Sequence, residues 1–125
     1  LAEIKKVCAL ANADAGEPSN RVAKAIVQAA DEVIDGKFRD QFITDPIQGG
    51  AGTSANMNTN EVLANRAGEI LGDALGHYQE VHPNDDVNRS QSTNDVFPSA
   101  GKLAARRLLD QMLEELQELD RKSVV

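Results

Sequence analysis

The chain has 125 residues and 13.4 kDa, the size of one domain or of a piece of a larger one, and too short for a multidomain enzyme. Hydrophobic residues at 41% and charged residues at 26% describe an ordinary globular chain, neither a disordered tail nor a membrane protein; aromatics at 3% leave the core to Leu, Ile, Val, Met and Ala, which suits packed helices better than a sandwich. Thirteen Lys and Arg against twenty Asp and Glu give a net charge of −7 without a basic cluster, which argues against a nucleic-acid partner and leaves any anion site to local dipoles and hydroxyls.

Cys8 is the only cysteine, so no internal disulfide or cysteine metal cluster can form, and a reducing compartment fits. No apolar run approaches the ~18 residues of a membrane span, and the N-terminal LAEIKKV lacks the apolar stretch of a signal peptide. The expectation is a soluble, cytoplasmic chain with no membrane partner.

From Leu1 to Ala13, Ile4, Val7, Cys8 and Leu10 or Ala11 recur at helical spacing, and Gly16 supplies a stop. Pro18 and Ser19 open a second helix with Val22, Ile26, Ala29, Ala30 and Val33 on one face, closed by Gly36; the two read as a helical hairpin. Lys37 to Ala55 holds Pro46, Gly49, Gly50 and Gly52 without helical period, a long loop of the kind that is more often functional than merely connecting. A third helix is predicted to start within Thr53 to Asn58 and to run to about Gly72, with Leu63, Ala67, Ile70 and Leu71 on its face and Asn58 with Glu61 as a capping pair.

A second irregular stretch, from about Gly76 to Ser92, ends in QSTND, a dense set of helix-capping residues. A helix of roughly 29 residues and ~43 Å is predicted from Asn94 to about Lys122, with Pro98 tolerated near its start. Its stripe of Phe97, Ala100, Ala104, Leu108, Met112, Leu116 and Leu119, widened by Leu109 and Leu113, is too broad for the rest of the chain to cover. Burial against copies of itself or against further sequence follows. Nothing reads as a paired sheet.

Three segments can carry chemistry. GGAGTSANMNTNE, Gly49 to Glu61, runs a glycine-rich loop into a helix N-terminus, where free N–H groups, the dipole and the hydroxyls of Thr53 and Ser54 suit a carboxylate; a tight turn before a capped helix reads equally well. It lacks the lysine of the GxxxxGK[ST] loop and is not GxGxxG, which disfavours a nucleotide. In SQSTND, Ser90 to Asp95, the side chains of Ser92, Thr93 and Asn94 can hydrogen-bond carboxylate oxygens and an amine, although an over-provided cap is also common. In HPNDDVN, His82 to Asn88, one His among Asn and Asp reads more simply as a solvated loop than as a catalyst, and as a weak metal signal. The charges of the last helix read as its solvated face, and Cys8 as a core residue rather than a nucleophile.

GGAGTSANMNTNEVLANRA, Gly49 to Ala67, and HPNDDVNRSQSTNDVFPSA, His82 to Ala100, closely resemble the aspartase/fumarase superfamily, and DEVIDGKFRDQF, Asp31 to Phe42, resembles the segment that precedes the first motif there. The resemblance covers essentially the whole chain. AGTS with NMN and QSTND is more like the aspartate ammonia-lyases, whereas fumarases usually show SGT and QSSND; Ala51 and Thr93 decide this, and HPNDDVN occurs with both activities.

The resemblance implies an all-α fold, a helical hairpin plus a long bundle helix, with residues 1–91 part of an N-terminal lyase domain and 92–125 the start of a central helical bundle. It implies reversible elimination of ammonia from L-aspartate to give fumarate, with no cofactor and no metal ligands, the alternatives being a fumarate hydratase and a non-catalytic helical assembly module. By family match Thr53, Ser92, Thr93 and Asn94 bind the substrate, and His82, Asn84 and Asp85 lie near a secondary anion site described for fumarases. The family is homotetrameric, with active sites shared between subunits. Its GRTHLQD-like and GSSxMPxKxNP-like segments, which carry a histidine, the serine base and a lysine, do not occur here. The catalytic set is therefore incomplete, and these residues are expected to be an internal fragment that is inactive alone.

Overall fold

The computed structural model describes residues 1–47 and 49–123; residues 48, 124 and 125, which fall in the expected loop and at the end of the expected bundle segment, lie outside the described residues. The elements are α1 (Ala2–Asp14), α2 (Asn20–Ile34), a 3-10 turn (Arg39–Gln41), α3 (Thr53–Leu71), a π turn (Pro83–Val87) and α4 (Thr93–Ser123), with no strand among the described residues. The all-α expectation holds, and the helix boundaries agree with it to within one or two residues.

Small side chains set the packing. Ala9 of α1, Ala25, Ile26, Ala29 and Ala30 of α2, and Leu63, Ala64 and Ala67 of α3 form one buried cluster, which Val81 and Val87 close from the connecting segment. With alanine on each of these faces the helices can approach closely, so a chain poor in aromatics still buries a contiguous core. Ser19 caps α2, its Oγ accepting from Val22 N at 3.4 Å, and Gly72 ends α3 at φ +93°.

Two local expectations differ from the structure. On α1 the buried face is centred on Lys5 and Ala9, while Val7 and Leu10 are 63% and 47% exposed. The hydrophobic spacing points one way and the packing another, because Lys5 finds a buried acceptor (below). Asn58 and Glu61 do not cap α3, since the helix begins at Thr53 behind Gly52 and Asn58 lies within its second turn. Asn58 Oδ1 instead accepts from Ile43 N at 3.0 Å and Thr44 N at 3.4 Å, and its Nδ2 donates to Gln41 O at 3.0 Å, clipping the preceding loop onto α3.

α4 has 31 residues, ~46 Å at 1.5 Å per residue, and leaves the rest of the fold after its first turns. Val96 is its one buried residue among those described, while Leu108, Met112, Leu116 and Leu119 are exposed.

Candidate functional site

The helix starts of α3 and α4 meet. Gly52, the N-cap of α3, has φ +84°, a left-handed conformation that favours glycine, and any side chain there would collide with the Phe97 ring of α4. Four residues further along α3, Asn56 is 1% exposed and donates from Nδ2 to Thr93 Oγ1 at 3.0 Å. An open depression of about 740 Å³ lies between the two helix starts, lined by Thr44, Asp45, Ala51, Gly52, Asn94 and Phe97 among others. Among the described residues, no Lys or Arg lines it. The two sequence motifs thus become one surface without a fixed positive charge.

The predicted substrate contacts are placed unequally. Asn94 lines the depression and is exposed. Ser92 caps α4: its Oγ accepts from Asn94 N at 3.3 Å and its carbonyl from Asp95 N and Val96 N at 3.0 Å each. Thr93 sits half-buried between that cap and Asn56. Thr53 is exposed, and both its N–H and its Oγ1 turn back to Gly50 O, at 3.2 and 2.7 Å. A carboxylate at this helix start has to compete with Gly50 O for the Thr53 hydroxyl.

His82, Asn84 and Asp85 come together in the π turn. His82 Nδ1 accepts from Asn84 N at 3.3 Å and Asp85 N at 3.2 Å, and Asp85 Oδ2 lies 3.3 Å from the same nitrogen. The imidazole caps the turn, and Tyr78 stands edge-on to it at 6.0 Å. No group of three or more His, Cys, Asp or Glu placed to hold a metal occurs among the described residues. No helix among them is long and apolar enough to cross a membrane.

Behind the site lies a set of residues that sequence reasoning missed. Lys5 is fully buried and donates from Nζ to Asn88 Oδ1 at 2.7 Å, and Asn56 Nδ2 donates to the same oxygen at 3.2 Å. Burial pushes the Lys5 ammonium down to about 8, with the neighbouring Cys8 opposing that shift. The available signal was the asparagine repeat at Asn56, Asn58 and Asn60: three poor helix formers in the first turns of a helix, two of which prove to be buried.

A family model described as a lyase matches residues 1–123. The chain belongs to this lyase family. Its motifs and all-helical architecture are those of the aspartase/fumarase superfamily, as the sequence resemblance implied. An aspartate ammonia-lyase of a Bacillus species is 57% identical over 114 residues, 91% of this chain and 24% of the relative. A class II fumarate hydratase of Bordetella parapertussis is 53% identical over 105 residues, 84% of this chain and 23% of the relative. The fumarate lyase:delta crystallin of Brucella melitensis, in native form, matches with a TM-score of 0.81 and 56% identity over 82% of this chain and 24% of that one. The chain spans about a quarter of the length of the curated relatives it matches.

Proposed function

We propose that the whole protein carrying these residues is an aspartate ammonia-lyase, converting L-aspartate reversibly to fumarate and ammonia. The observation that carries this reading is the junction of the two motifs. The starts of α3 and α4 border one depression lined by Ala51, Gly52 and Asn94, and the chain neighbours of these residues, Thr53, Ser92 and Thr93, add hydroxyls to the amide and helix N-termini that suit a small dicarboxylate. Ala51 and Thr93, which distinguish AGTS and QSTND from the fumarase-like SGT and QSSND, support an amine as the leaving group, as does the identity to aspartate ammonia-lyases.

In the reaction a base removes a proton from the carbon next to the side-chain carboxylate. Charge accumulates on that carboxylate as an enediolate-like group, the electron pair then forms the carbon–carbon double bond, and the carbon–nitrogen bond breaks with ammonia leaving. Hydrogen bonds from hydroxyl donors to the carboxylate strengthen as that charge develops, the Thr53 hydroxyl leaving Gly50 O to make one, and Asn94 takes the amino end. The base and the counter-cation come from outside these 125 residues, which supply binding and orientation and are inactive alone. The lack of a cation among the described lining residues supports that division.

The further elements of this reading are a domain limit at residues 91/92, self-association through α4 into a homotetramer, a cytoplasmic location, and an anion contact near His82, Asn84 and Asp85. A fumarate hydratase is the second reading, favoured by the 53% identity to class II fumarate hydratases. Offering L-aspartate and L-malate separately to the whole protein, and following the fumarate absorbance, decides between them. Fumarate from aspartate is expected; fumarate from malate alone transfers the protein to the hydratases, and none from either leaves a helical assembly module.

A further inference from the structure

A buried relay joins the ammonium of Lys5 to the hydroxyl of Thr93 through two amides. Lys5 Nζ donates to Asn88 Oδ1 at 2.7 Å; Asn56 Nδ2 donates to that oxygen at 3.2 Å and to Thr93 Oγ1 at 3.0 Å; Asn88 Nδ2 donates to Gln91 O at 3.3 Å. Lys5 and Asn56 have essentially no exposed surface.

Amide nitrogen and oxygen are interchangeable by a flip, so the direction of such a relay needs an anchor, and Lys5 is one. An ammonium donates and never accepts. The Asn88 atom that faces it must therefore be the oxygen, and the group that Asn56 presents to that oxygen must be its N–H₂. The remaining hydrogen of that group lies on Thr93 Oγ1, which becomes an acceptor on its buried side. A hydroxyl has one proton, and that of Thr93 is then free to be donated away from the relay.

The cost of this direction is visible. Asn56 Oδ1 is buried without a hydrogen-bond partner among the described residues, because the flipped amide would set it against Asn88 Oδ1.

We propose that Lys5 is a positioning residue that acts through Asn88 and Asn56 to fix the Thr93 hydroxyl as a hydrogen-bond donor to a ligand carboxylate at the start of α4. The proposal rests on the dicarboxylate reading above. It adds the residue that sets the polarity of the contact, from an element remote from both motifs. Without the cation the Asn88 amide is held only by its 3.3 Å contact to Gln91 O, so a joint flip of the two amides loses its main opponent; Thr93 can then donate inward to Asn56, and its lone pairs face the carboxylate.

The test is fumarate binding by calorimetry in the whole protein at pH 7, fumarate being common to the lyase and hydratase readings. Wild type is compared with Thr93→Val, Lys5→Met, the two combined, and Lys5→Met paired with Asn88→Leu, in which apolar groups replace both partners so that no buried charge is stranded and Asn56 keeps Thr93 Oγ1 as its acceptor. Thermal unfolding selects the folded variants, and the paired variant decides where Lys5→Met alone does not fold. A loss of about tenfold in affinity is expected on removing the lysine, with Lys5→Met adding nothing to Thr93→Val, since both act through one hydroxyl. Undiminished affinity in a folded variant without the lysine, or losses that multiply in the combination, would overturn the proposal, because a structural role alone acts independently of Thr93. If wild type binds fumarate yet turns over neither L-aspartate nor L-malate, the activity reading falls and the positioning result stands; if wild type does not bind fumarate, both fall.

Discussion

The Phe97 ring of α4 lies where a side chain on Gly52 of α3 would have to go. The contact fixes how close the two helix starts come, and with them the width of the depression between the two motifs. Gly52 also holds φ +84°, so even alanine meets both backbone strain and the ring. Gly52→Ala is expected to destabilise the fold by about 2–4 kcal/mol in chemical denaturation and to weaken fumarate binding with it. A variant of native stability would contradict the close approach.

Lys5 gives a pH signature. Burial lowers it from 10.5 to about 8, so between those values the unfolded chain binds more protons than the folded one, and this group's contribution to stability rises with pH across the window. The full fall corresponds to ~3 kcal/mol. The Cys8 thiol, raised from 9.0 by burial, acts in the opposite sense above about pH 9. Comparison with Lys5→Met isolates the lysine: the difference in unfolding free energy should move in favour of wild type from pH 8 to 10.5, and a flat difference would contradict it. Fumarate affinity should fall over the same rise, as the neutral amine no longer dictates the direction of the relay.

Glu32 and Arg66 tie α2 to α3. Arg66 donates from Nε to Oε2 at 2.8 Å and from Nη2 to Oε1 at 3.1 Å, and its guanidinium lies 5.8 Å from the centre of the Phe38 ring. The Arg66 hydrogen bond holds the Glu32 carboxyl below its ordinary 4.5. Its folded value is thus the depressed one, and the contribution is present above 4.5 and lost as pH falls through the folded value. Glu32→Gln should cost about 1–2 kcal/mol at pH 7 in urea unfolding, and the cost should vanish in strong acid.

The apolar stripe of α4 calls for a partner surface. Leu108, Met112 and Leu116 are 67%, 51% and 48% exposed along one helix. Leu108→Glu or Met112→Glu should shift the whole protein toward smaller assemblies in sedimentation while leaving helix content unchanged. An unaltered assembly would remove α4 from the subunit interface.

The helices were legible because their signals are local. Apolar spacing and the Ser19 and Gly72 ends are written within each segment, and the structure follows them. The misread parts are decided between segments. Asn58 looked like a cap because nothing local announces that the loop before it folds back and needs Asn58 as its clip. Nothing near Lys5 in the sequence marks it as buried, because its acceptor Asn88 lies far along the chain. The two motifs could be named from sequence, but their meeting at Gly52 and Phe97, and the turning of Thr53 toward Gly50 O, are tertiary facts.

The central claim is that the junction of α3 and α4 holds the amino and carboxylate ends of the substrate, and the initial rate of fumarate formation from L-aspartate tests it most directly. In the whole protein, Asn94→Ala, which removes an exposed amide and no core contact, should lower that rate by about a hundredfold while the unfolding midpoint stays unchanged. A rate within about twofold of wild type would contradict the assignment of this junction as the substrate site.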